Sequence, residues 1–193
     1  MYEYIQGKIS ELTPANVIID NQGVGYFINI SLNTYSALSG KEQAIVFIHQ
    51  VVREDAHLLF GFYNKSERQI FRHLISVSGI GANTARMMLS SLSPSEIQEA
   101  IMSGNVKLLN SIKGIGAKTA QRIIIDLKDK VGKSEISSDF LLTQSNTNRD
   151  EALSALVMLG FTKNSVDKIL DKLIKDTPNA EVEELVKKAL KSF

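Results

Sequence analysis

The chain has 193 residues, of which 44% are hydrophobic and 22% are charged, a composition typical of a globular protein. It contains no cysteine, which excludes disulfides, thiolate metal sites and a cysteine nucleophile. The sequence shows neither a signal-peptide pattern nor an apolar run of the roughly 20 residues that span a bilayer. We therefore expect a cytoplasmic protein that does not contact a membrane.

The net charge of +1 hides an uneven distribution of charged residues. Residues 64–131 carry 10 basic and 5 acidic residues, whereas residues 1–63 and 132–193 are each net acidic. Attraction to phosphate is short-ranged and screened by salt, so a basic segment between acidic ones favours a local contact with a polyanion. The middle of the chain is therefore the place to look for a nucleic-acid site.

Residues 1–63 show the pattern of short β-strands separated by turn residues such as Asn21-Gln22-Gly23. The predicted strands lie at residues 2–12, 15–20, 23–30, 43–52 and 57–62. Because closure of a sheet removes its exposed edges, these short strands predict a small antiparallel barrel, with the OB-fold as the leading candidate.

Beyond residue 63 the apolar residues recur with the period of a helix. Ser66 is expected to cap the first of these helices. The segment Ser93-Pro94-Ser95-Glu96 combines an N-cap, a first-turn proline and a capping-box glutamate, which predicts a second helix start. Lys128 and Lys130 followed by Gly132 predict a helix end.

The last part of the sequence predicts a linker and a small helical module. Residues 132–148 are rich in Ser, Thr, Asn and Gln and predict a flexible linker, in which the apolar Phe140-Leu141-Leu142 has no assigned role. Residues 149–193 predict three short helices with starts at Asn148, Thr162 and Thr177-Pro178. We expect a multi-domain α+β protein with domains at 1–63, 64–131 and 149–193.

A nine-residue sequence occurs twice, 35 residues apart. Residues 77–85, VSGIGANTA, and residues 112–120, IKGIGAKTA, are identical at six of nine positions. An apolar stripe with helical spacing follows in both copies: Ala85, Met88, Leu89 and Leu92 in the first, and Ala120, Ile123, Ile124 and Leu127 in the second. The repeat predicts two copies of one helix–turn–helix unit.

The Gly-Ile-Gly turn of each copy has a physical use. Glycines permit unusual backbone angles and lack Cβ atoms, so a phosphate oxygen can approach the main-chain N–H groups at the start of the second helix. Lys118 and Arg122 lie four residues apart, on one helix face beside that start. Such contacts carry no base information and predict recognition of duplex shape. The candidate DNA-binding residues are Gly79, Ile80, Gly81, Asn83, Thr84, Arg86, Lys113, Gly114, Ile115, Gly116, Lys118, Thr119 and Arg122.

These repeats and three further segments resemble the RuvA family over nearly the whole chain. The further segments are Gly23-Val24-Gly25-Tyr26, Arg53-Glu54-Asp55-Ala56 with the following LLFGF, and Ala152-Leu153-Ser154-Ala155-Leu156 with the following Leu159-Gly160-Phe161. The resemblance implies an N-terminal OB-fold, a central tandem helix-hairpin-helix domain and a C-terminal three-helix bundle like ubiquitin-associated domains.

The same resemblance implies a function and partners. It implies a non-catalytic homotetramer, alone or as two tetramers, that holds a four-way (Holliday) DNA junction open during recombination and repair. The implied protein partners are the ATPase ring RuvB, bound through residues 149–193, and the junction-resolving nuclease RuvC. No cofactor is implied for this chain, because ATP is used by the motor. Glu54 and Asp55 would form an acidic pin whose carboxylates repel phosphates near the junction centre.

One position departs from the family pattern. Many family members carry a basic residue where this chain has Asn83. The first hairpin is therefore expected to contribute less charge than the second, with Arg86, one turn further along, as a partial replacement.

Four alternatives remain open at this point. The Gly-Ile-Gly segments could be tight turns between packed helices and nothing more, and Glu54 and Asp55 a solvated hairpin turn. A DNA repair nuclease or glycosylase would need a catalytic group, but the histidines, His49, His57 and His73, are scattered and no metal-binding pattern is evident. A pure protein scaffold would show little affinity for DNA at any salt concentration.

Overall fold

The computed structural model describes residues 1–136, 144–177 and 180–193, with the backbone alone for residues 132–136, 144–147 and 176. Residues 1–134 form one compact unit and residues 135–193 a second. The apolar Phe140-Leu141-Leu142 lies outside the described residues. Within the described ranges, no helix is both long enough and apolar enough to cross a bilayer.

The first unit begins with the predicted barrel. Its strands are β1 (Tyr4–Leu12), β2 (Asn16–Asn21), β3 (Val24–Ile30), β4 (Gln43–Val52) and β5 (His57–Phe62). They close in the order β1-β2-β3-β5-β4, with β3 and β5 parallel and the other neighbours antiparallel. Alternate residues point inward because side chains along a strand alternate between faces; the buried interior includes Val17, Ile19, Ile28, Ile30, Val46 and Ile48. The prediction of an OB-like five-stranded barrel is confirmed.

A short helix in the barrel was not predicted. It is α1 (Leu32–Leu38), between β3 and β4, and the Ser31 side chain caps it by accepting a hydrogen bond from the Thr34 N–H at 3.0 Å. Seven residues form too short a pattern for periodicity to identify a helix.

Five helices follow the barrel in the first unit: α2 (Lys65–Ile75), α3 (Ala82–Ser91), α4 (Pro94–Met102), α5 (Val106–Asn110) and α6 (Ala117–Ile136). The predicted capping box of α4 is confirmed, because the Ser93 N–H donates to Glu96 at 2.7 Å and Ser93 Oγ accepts from the Glu96 N–H. Ser66 does not cap α2. Asn64 caps it instead, because its backbone is extended and its Oδ1 accepts from the Glu67 N–H at 2.7 Å.

These helices share one apolar core with the end of the barrel. Phe60 and Phe62 of β5 pack against Phe71 of α2, with ring centroids 5.3 and 4.9 Å apart. Both predicted apolar stripes face this core: Ala85, Met88, Leu89, Ala120, Ile123 and Leu127 are buried, and Leu92 and Ile124 are partly buried against them. The helices are therefore packed on the barrel through a continuous hydrophobic interior.

The prediction that a helix ends at Gly132 is wrong, because α6 continues to Ile136. A glycine inside a helix costs about 1 kcal/mol relative to alanine, which a long helix tolerates. The next helix, α7 (Gln144–Met158), begins before the predicted start at Asn148. Both ends of the predicted linker 132–148 are thus helical, and its centre lies outside the described residues.

The second unit packs α7, α8 (Lys163–Asp176) and α9 (Val182–Leu190) around a small core of Ala152, Leu156, Val166, Leu170, Ala180, Leu185 and Ala189. Thr162 is the N-cap of α8, as predicted. Thr177 does not start α9: its N–H and hydroxyl both donate to the Leu173 carbonyl, so it ends α8, and α9 begins after Glu181. Asn148 donates its side-chain amide to the Ala180 carbonyl at 3.2 Å instead of capping α7.

Candidate nucleic-acid interface

Two hairpins in the first unit have turns with matching backbone angles and hydrogen bonds. Hairpin 1 consists of α2, the turn at residues 76–81 and α3, and hairpin 2 consists of α5, the turn at residues 111–116 and α6. In both, the central isoleucine is buried, Ile80 with 6% and Ile115 with 4% of its surface exposed. Their N–H groups donate to the carbonyls three residues earlier at 3.1 and 3.0 Å. The buried isoleucine therefore holds each turn against the hydrophobic core.

The first glycine of each turn has a conformational reason to be glycine. Gly79 has φ +93° and Gly114 has φ +89°, a left-handed region that side-chain-bearing residues rarely occupy. Such a residue directs the chain out of the first helix and toward the start of the second. The turn geometry therefore requires these two glycines whatever the protein binds.

The second glycine of each turn is not required by the protein itself. Gly81 has an ordinary φ of −85°, and neither Gly81 nor Gly116 has a positive φ. A Cβ added at either position would meet no atom within 4 Å, and both residues are exposed. Internal packing and backbone strain thus give no reason for glycine here, whereas close approach of an external group to the backbone does.

The N-termini of α3 and α6 also differ from neighbouring helix starts. Ser31, Asn64, Ser93 and Asn105 cap α1, α2, α4 and α5 with their side chains. Within residues 1–136, α3 begins at Gly81 with no side-chain cap, and Gly116 occupies the same place before α6. The first N–H groups of a helix have no partner within that helix, so these two starts present donors and a positive dipole end to an anion.

Positive charge lies mainly beside hairpin 2. Lys113 lies in its turn and Lys118 in the first turn of α6, and both are exposed; Arg122 lies one turn further along α6. The Arg122 guanidinium donates to the Ser78 carbonyl in the turn of hairpin 1 at 3.4 Å, so it lies between the two turns. At the position equivalent to Lys118, hairpin 1 has the neutral and exposed Asn83, as the sequence indicated. Thr84 and Thr119 are half-buried in the first turns of α3 and α6.

Arg86 has a different partner from the one expected. Its Nη1 donates to the Ala15 carbonyl at 3.0 Å and to Asn29 Oδ1 at 3.3 Å, both in the barrel. Its guanidinium is therefore directed away from the turn of hairpin 1. That Arg86 partly replaces the missing charge at Asn83 stays a prediction, which the contact of its guanidinium with the barrel does not favour.

The acidic residues Glu54 and Asp55 lie in the loop at residues 53–56, between β4 and β5. The loop is closed by a hydrogen bond of 2.8 Å from the Arg53 N–H to the Ala56 carbonyl, and both acidic side chains are exposed. In the part of the chain that the structure describes, no hydrogen bond or ion pair joins either carboxylate to the hairpins. The loop and the hairpins are thus separate features of the same unit.

Buried polar residues that the sequence did not single out attach α2 to the barrel. The carboxylate of Glu67 accepts hydrogen bonds from the hydroxyls of Ser31 and of Thr34, the latter at 2.7 Å. Burial raises the pKa of Glu67, and these hydrogen bonds oppose the rise. Arg68 forms an ion pair with Glu3 and also donates to the Glu3 carbonyl at 2.8 Å. A charged residue in an amphipathic helix is normally solvated, so the sequence carried no signal for these contacts.

Comparisons with known proteins agree with this architecture. Residues 1–61 match the family model described as RuvA N terminal domain, residues 71–129 the SAM-like helix-hairpin-helix tandem, and residues 147–192 the RuvA C-terminal domain. A protein of Christiangramia forsetii is 51% identical over 193 residues, covering 100% of both chains. The chain belongs to the RuvA family. A RuvA of Flavobacterium psychrophilum is 53% identical over the same full coverage, and one of Porphyromonas gingivalis is 45% identical over 99% of both chains.

All three relatives are named as Holliday junction branch migration complex subunit RuvA. The RuvA family models cover the barrel and the C-terminal helices, and the hairpin model covers the segment between them. The resemblance drawn from sequence motifs is therefore confirmed over the full length of the chain. Within the described residues, no three His, Asp or Glu side chains are grouped as metal ligands would be.

Proposed function

We propose that this chain binds four-way DNA junctions through backbone phosphates, using the uncapped starts of α3 and α6. The observation that carries the proposal is the pair Gly81 and Gly116, which nothing inside the protein requires to be glycine. The same feature occurs at two helix N-termini where N–H groups lack a side-chain cap. An anion that hydrogen-bonds to those N–H groups explains both the missing Cβ atoms and the missing caps.

Phosphate is the anion that the surrounding charge favours. Lys113, Lys118 and Arg122 lie at or between the turns, in the one segment of the sequence with a large positive charge. Backbone contacts fix the register of a duplex without reading its bases, so binding depends on DNA shape and not on sequence. Gly79, Gly81, Asn83, Thr84, Gly114, Gly116 and Thr119 complete the proposed contact surface, with Ile80 and Ile115 holding the turns in place.

The preference for a four-way junction rests on two supports. The relatives are named as subunits of a Holliday junction branch migration complex, and they match this chain from end to end. The exposed carboxylates of Glu54 and Asp55 extend from the same unit as the hairpins and would repel phosphate, as an acidic pin at the junction centre requires. A continuous duplex offers no gap for such a loop, whereas an open junction does.

The proposal includes an assembly. The chain acts as a homotetramer, with one or two tetramers on a junction, as a non-catalytic cytoplasmic subunit without a cofactor of its own. The ATPase ring RuvB binds through residues 149–193, and the nuclease RuvC acts on the same junction. Because residues 1–134 form their own compact unit, a chain that lacks residues 149–193 should still bind junctions but should no longer stimulate the ATPase of RuvB.

The deciding experiment is a titration of a synthetic four-way junction and a linear duplex of the same arm sequence, at low and moderate salt. The test variants are Gly116→Ala and Lys118→Ala, with Gly25→Ala in β3 as a matched control, because its new Cβ would meet only an ordinary contact of 3.5 Å. Gly116→Ala should weaken junction binding by about tenfold or more, since a hydrogen bond to a charged group is worth about 1.5–3 kcal/mol. Its thermal stability should change little, and Gly25→Ala should bind as the parent does.

Each other outcome has a defined meaning. Equal binding of junction and duplex would reduce the function to general duplex binding. Unchanged binding by Gly116→Ala would contradict the backbone phosphate site, and absence of binding at low salt would favour the protein scaffold. Cleavage of the junction by the purified chain with Mg²⁺ would favour the nuclease alternative.

A further inference from the structure

A set of side-chain hydrogen bonds attaches α3, the second helix of hairpin 1, to the barrel. Arg86 Nη1 donates to the Ala15 carbonyl at 3.0 Å and to Asn29 Oδ1 at 3.3 Å. The Ala15 carbonyl also accepts from the Ile30 N–H at 3.0 Å, so it joins the start of β2 to the end of β3. Arg86 therefore contacts the barrel where two of its strands are held together.

Asn29 extends this connection to a third strand. Its Nδ2 donates to the Leu59 carbonyl of β5 at 3.1 Å. β3 and β5 form the short parallel pair that closes the barrel, with Asn29 opposite Phe60. β5 begins at His57, directly after the loop that carries Glu54 and Asp55. A chain of hydrogen bonds thus runs from α3 through Arg86 and Asn29 to the strand that follows the acidic loop.

The C-terminal end of α3 is attached as well. Asn33 Nδ2 donates to the carbonyls of Leu89 and Leu92 at 2.6 and 3.1 Å, and Ser90 Oγ accepts from the Leu32 N–H at 3.1 Å. Contacts in the middle of α3 and at its C-terminal end restrict its sliding and rotation against the barrel. Of these contacts, the one made by Arg86 is nearest to the start of the helix, five residues from Gly81.

We propose that Arg86 is a positioning residue, which fixes the start of α3 relative to the acidic loop by hydrogen-bonding to Ala15 and Asn29. The inference rests on the proposed function, because the distance between a phosphate contact and the acidic loop matters only if both engage one junction. Positioning of this kind gives discrimination between junction and duplex, since a duplex needs the hairpins alone. Arg86 and Asn29 then act as one unit, and neither contacts DNA.

This role and a direct phosphate contact predict different salt dependence. A side chain that neutralises a phosphate contributes about 0.9 to the slope of log K against log salt concentration, and its loss weakens all DNA substrates alike. A positioning residue changes the geometry and leaves the number of neutralised phosphates unaltered. Arg86→Met removes the guanidinium and retains an unbranched side chain, and Asn29→Ala removes its partner without altering any charge.

The first experiment measures affinity and salt slope for the junction and for the duplex with Arg86→Met, Asn29→Ala and the double variant. Each single variant should lower the ratio of junction to duplex affinity by about fivefold or more, the effect of about 1 kcal/mol of lost coupling. The salt slope should equal that of the parent and the duplex affinity should stay within about twofold of it, and the double variant should be no worse than the single ones. A salt slope lowered by about one in Arg86→Met, with Asn29→Ala unchanged, would overturn the proposal in favour of a phosphate contact.

A second experiment needs no DNA and therefore separates this inference from the proposed function. The chain has no cysteine, so spin labels can be placed at Val52→Cys beside the acidic loop and at Met87→Cys on α3, both exposed positions. Labelled chain diluted with unlabelled chain reports the distance within one subunit. Arg86→Met and Asn29→Ala should each broaden or shift this distance distribution, while Lys8→Met on β1 should not. Unchanged distributions in both variants would overturn the positioning role even if the protein binds junctions.

Discussion

Hairpin 1 and hairpin 2 have matching turns and different surroundings. Their central isoleucines are equally buried, their first glycines have nearly the same φ, and both second helices start at an exposed glycine. Hairpin 1 has the neutral Asn83 and is attached to the barrel through Arg86, whereas hairpin 2 has Lys118. The anion site that we propose would therefore be made by the main chain, and the side chains around it are free to differ.

This difference gives the two copies different roles in the proposed function. In the proposed function, hairpin 2 supplies most of the charge that attracts phosphate, and its Arg122 donates to the Ser78 carbonyl in the turn of hairpin 1. Hairpin 1 would supply the fixed position, because α3 has hydrogen bonds to the barrel in its middle and at its C-terminal end. Substitutions at equivalent positions in the two copies can test each half of this comparison.

The largest expected effect is a loss of stability, and it tests the buried isoleucine that the two copies share. Ile80→Ala and Ile115→Ala should each lower the free energy of unfolding by about 2–4 kcal/mol, because each removes a buried side chain and leaves a cavity. Urea denaturation of the full chain measures the loss. Ile125→Ala is the matched control, since Ile125 lies on α6 with 77% of its surface exposed and should change stability very little. A loss at one buried isoleucine alone would show that the two turns are not equivalent.

A smaller effect is a change in the salt dependence of DNA binding, and it tests the charge at the helix start, which differs between the copies. Lys118→Asn and Asn83→Lys exchange the charge pattern of the hairpins, and both positions are exposed at helix starts. Lys118→Asn should lower the slope of log K against log salt concentration by about 0.9, and Asn83→Lys should raise it by a similar amount. Titrations of duplex at several salt concentrations measure both slopes, with Lys8→Asn on the barrel as a control for net charge. Equal slopes for Lys118→Asn and Lys8→Asn would show that the effect is not specific to the hairpin.

Local patterns in the sequence predicted most of the barrel and both hairpins. Period-two alternation placed the strands, and the nine-residue repeat placed the turns, because each depends on residues that are close in sequence. The helix start at Asn64 was assigned to Ser66 because both residues are good N-caps within one turn, and only the backbone angles distinguish them. The end of α6 was placed too early because a glycine weakens a helix without necessarily ending it.

The contacts of single polar side chains could not be predicted in this way. Arg86 reaches a carbonyl 71 residues earlier in the chain, and Glu67 accepts a hydrogen bond from Thr34, 33 residues earlier. Both residues lie on amphipathic helices, where a charged residue is usually solvated. Which of them turns toward the barrel depends on how the helices pack on it, and that packing is set by long-range apolar contacts that no local window contains.

The smallest expected effect is a change with pH in the stability that Glu67, in the first helix of hairpin 1, contributes. Burial raises the pKa of Glu67 above its ordinary value of 4.5, so the folded state holds this proton more tightly than the unfolded state does. The stability that Glu67 contributes is then greatest at low pH and falls as the pH rises from 4.5 through the raised pKa. Glu96 of the α4 capping box has the opposite sign, because hydrogen bonds from Ser93 lower its pKa and its contribution is lost as the pH falls through that lowered value.

Glu67→Gln and Glu96→Gln therefore form a matched pair, measured by urea denaturation at several pH values from about 3 to about 8. As the pH rises above 4.5, the unfolding free energy of the parent should fall relative to that of Glu67→Gln. As the pH falls below 4.5, the unfolding free energy of the parent should fall relative to that of Glu96→Gln. A difference for Glu67→Gln that stays flat with pH, or that shifts in the direction expected for Glu96→Gln, would mean that the buried carboxylate binds its proton no more tightly than a solvated one. The hydroxyls of Ser31 and Thr34 would then offset the whole cost of burying the charge that joins α2 to the barrel.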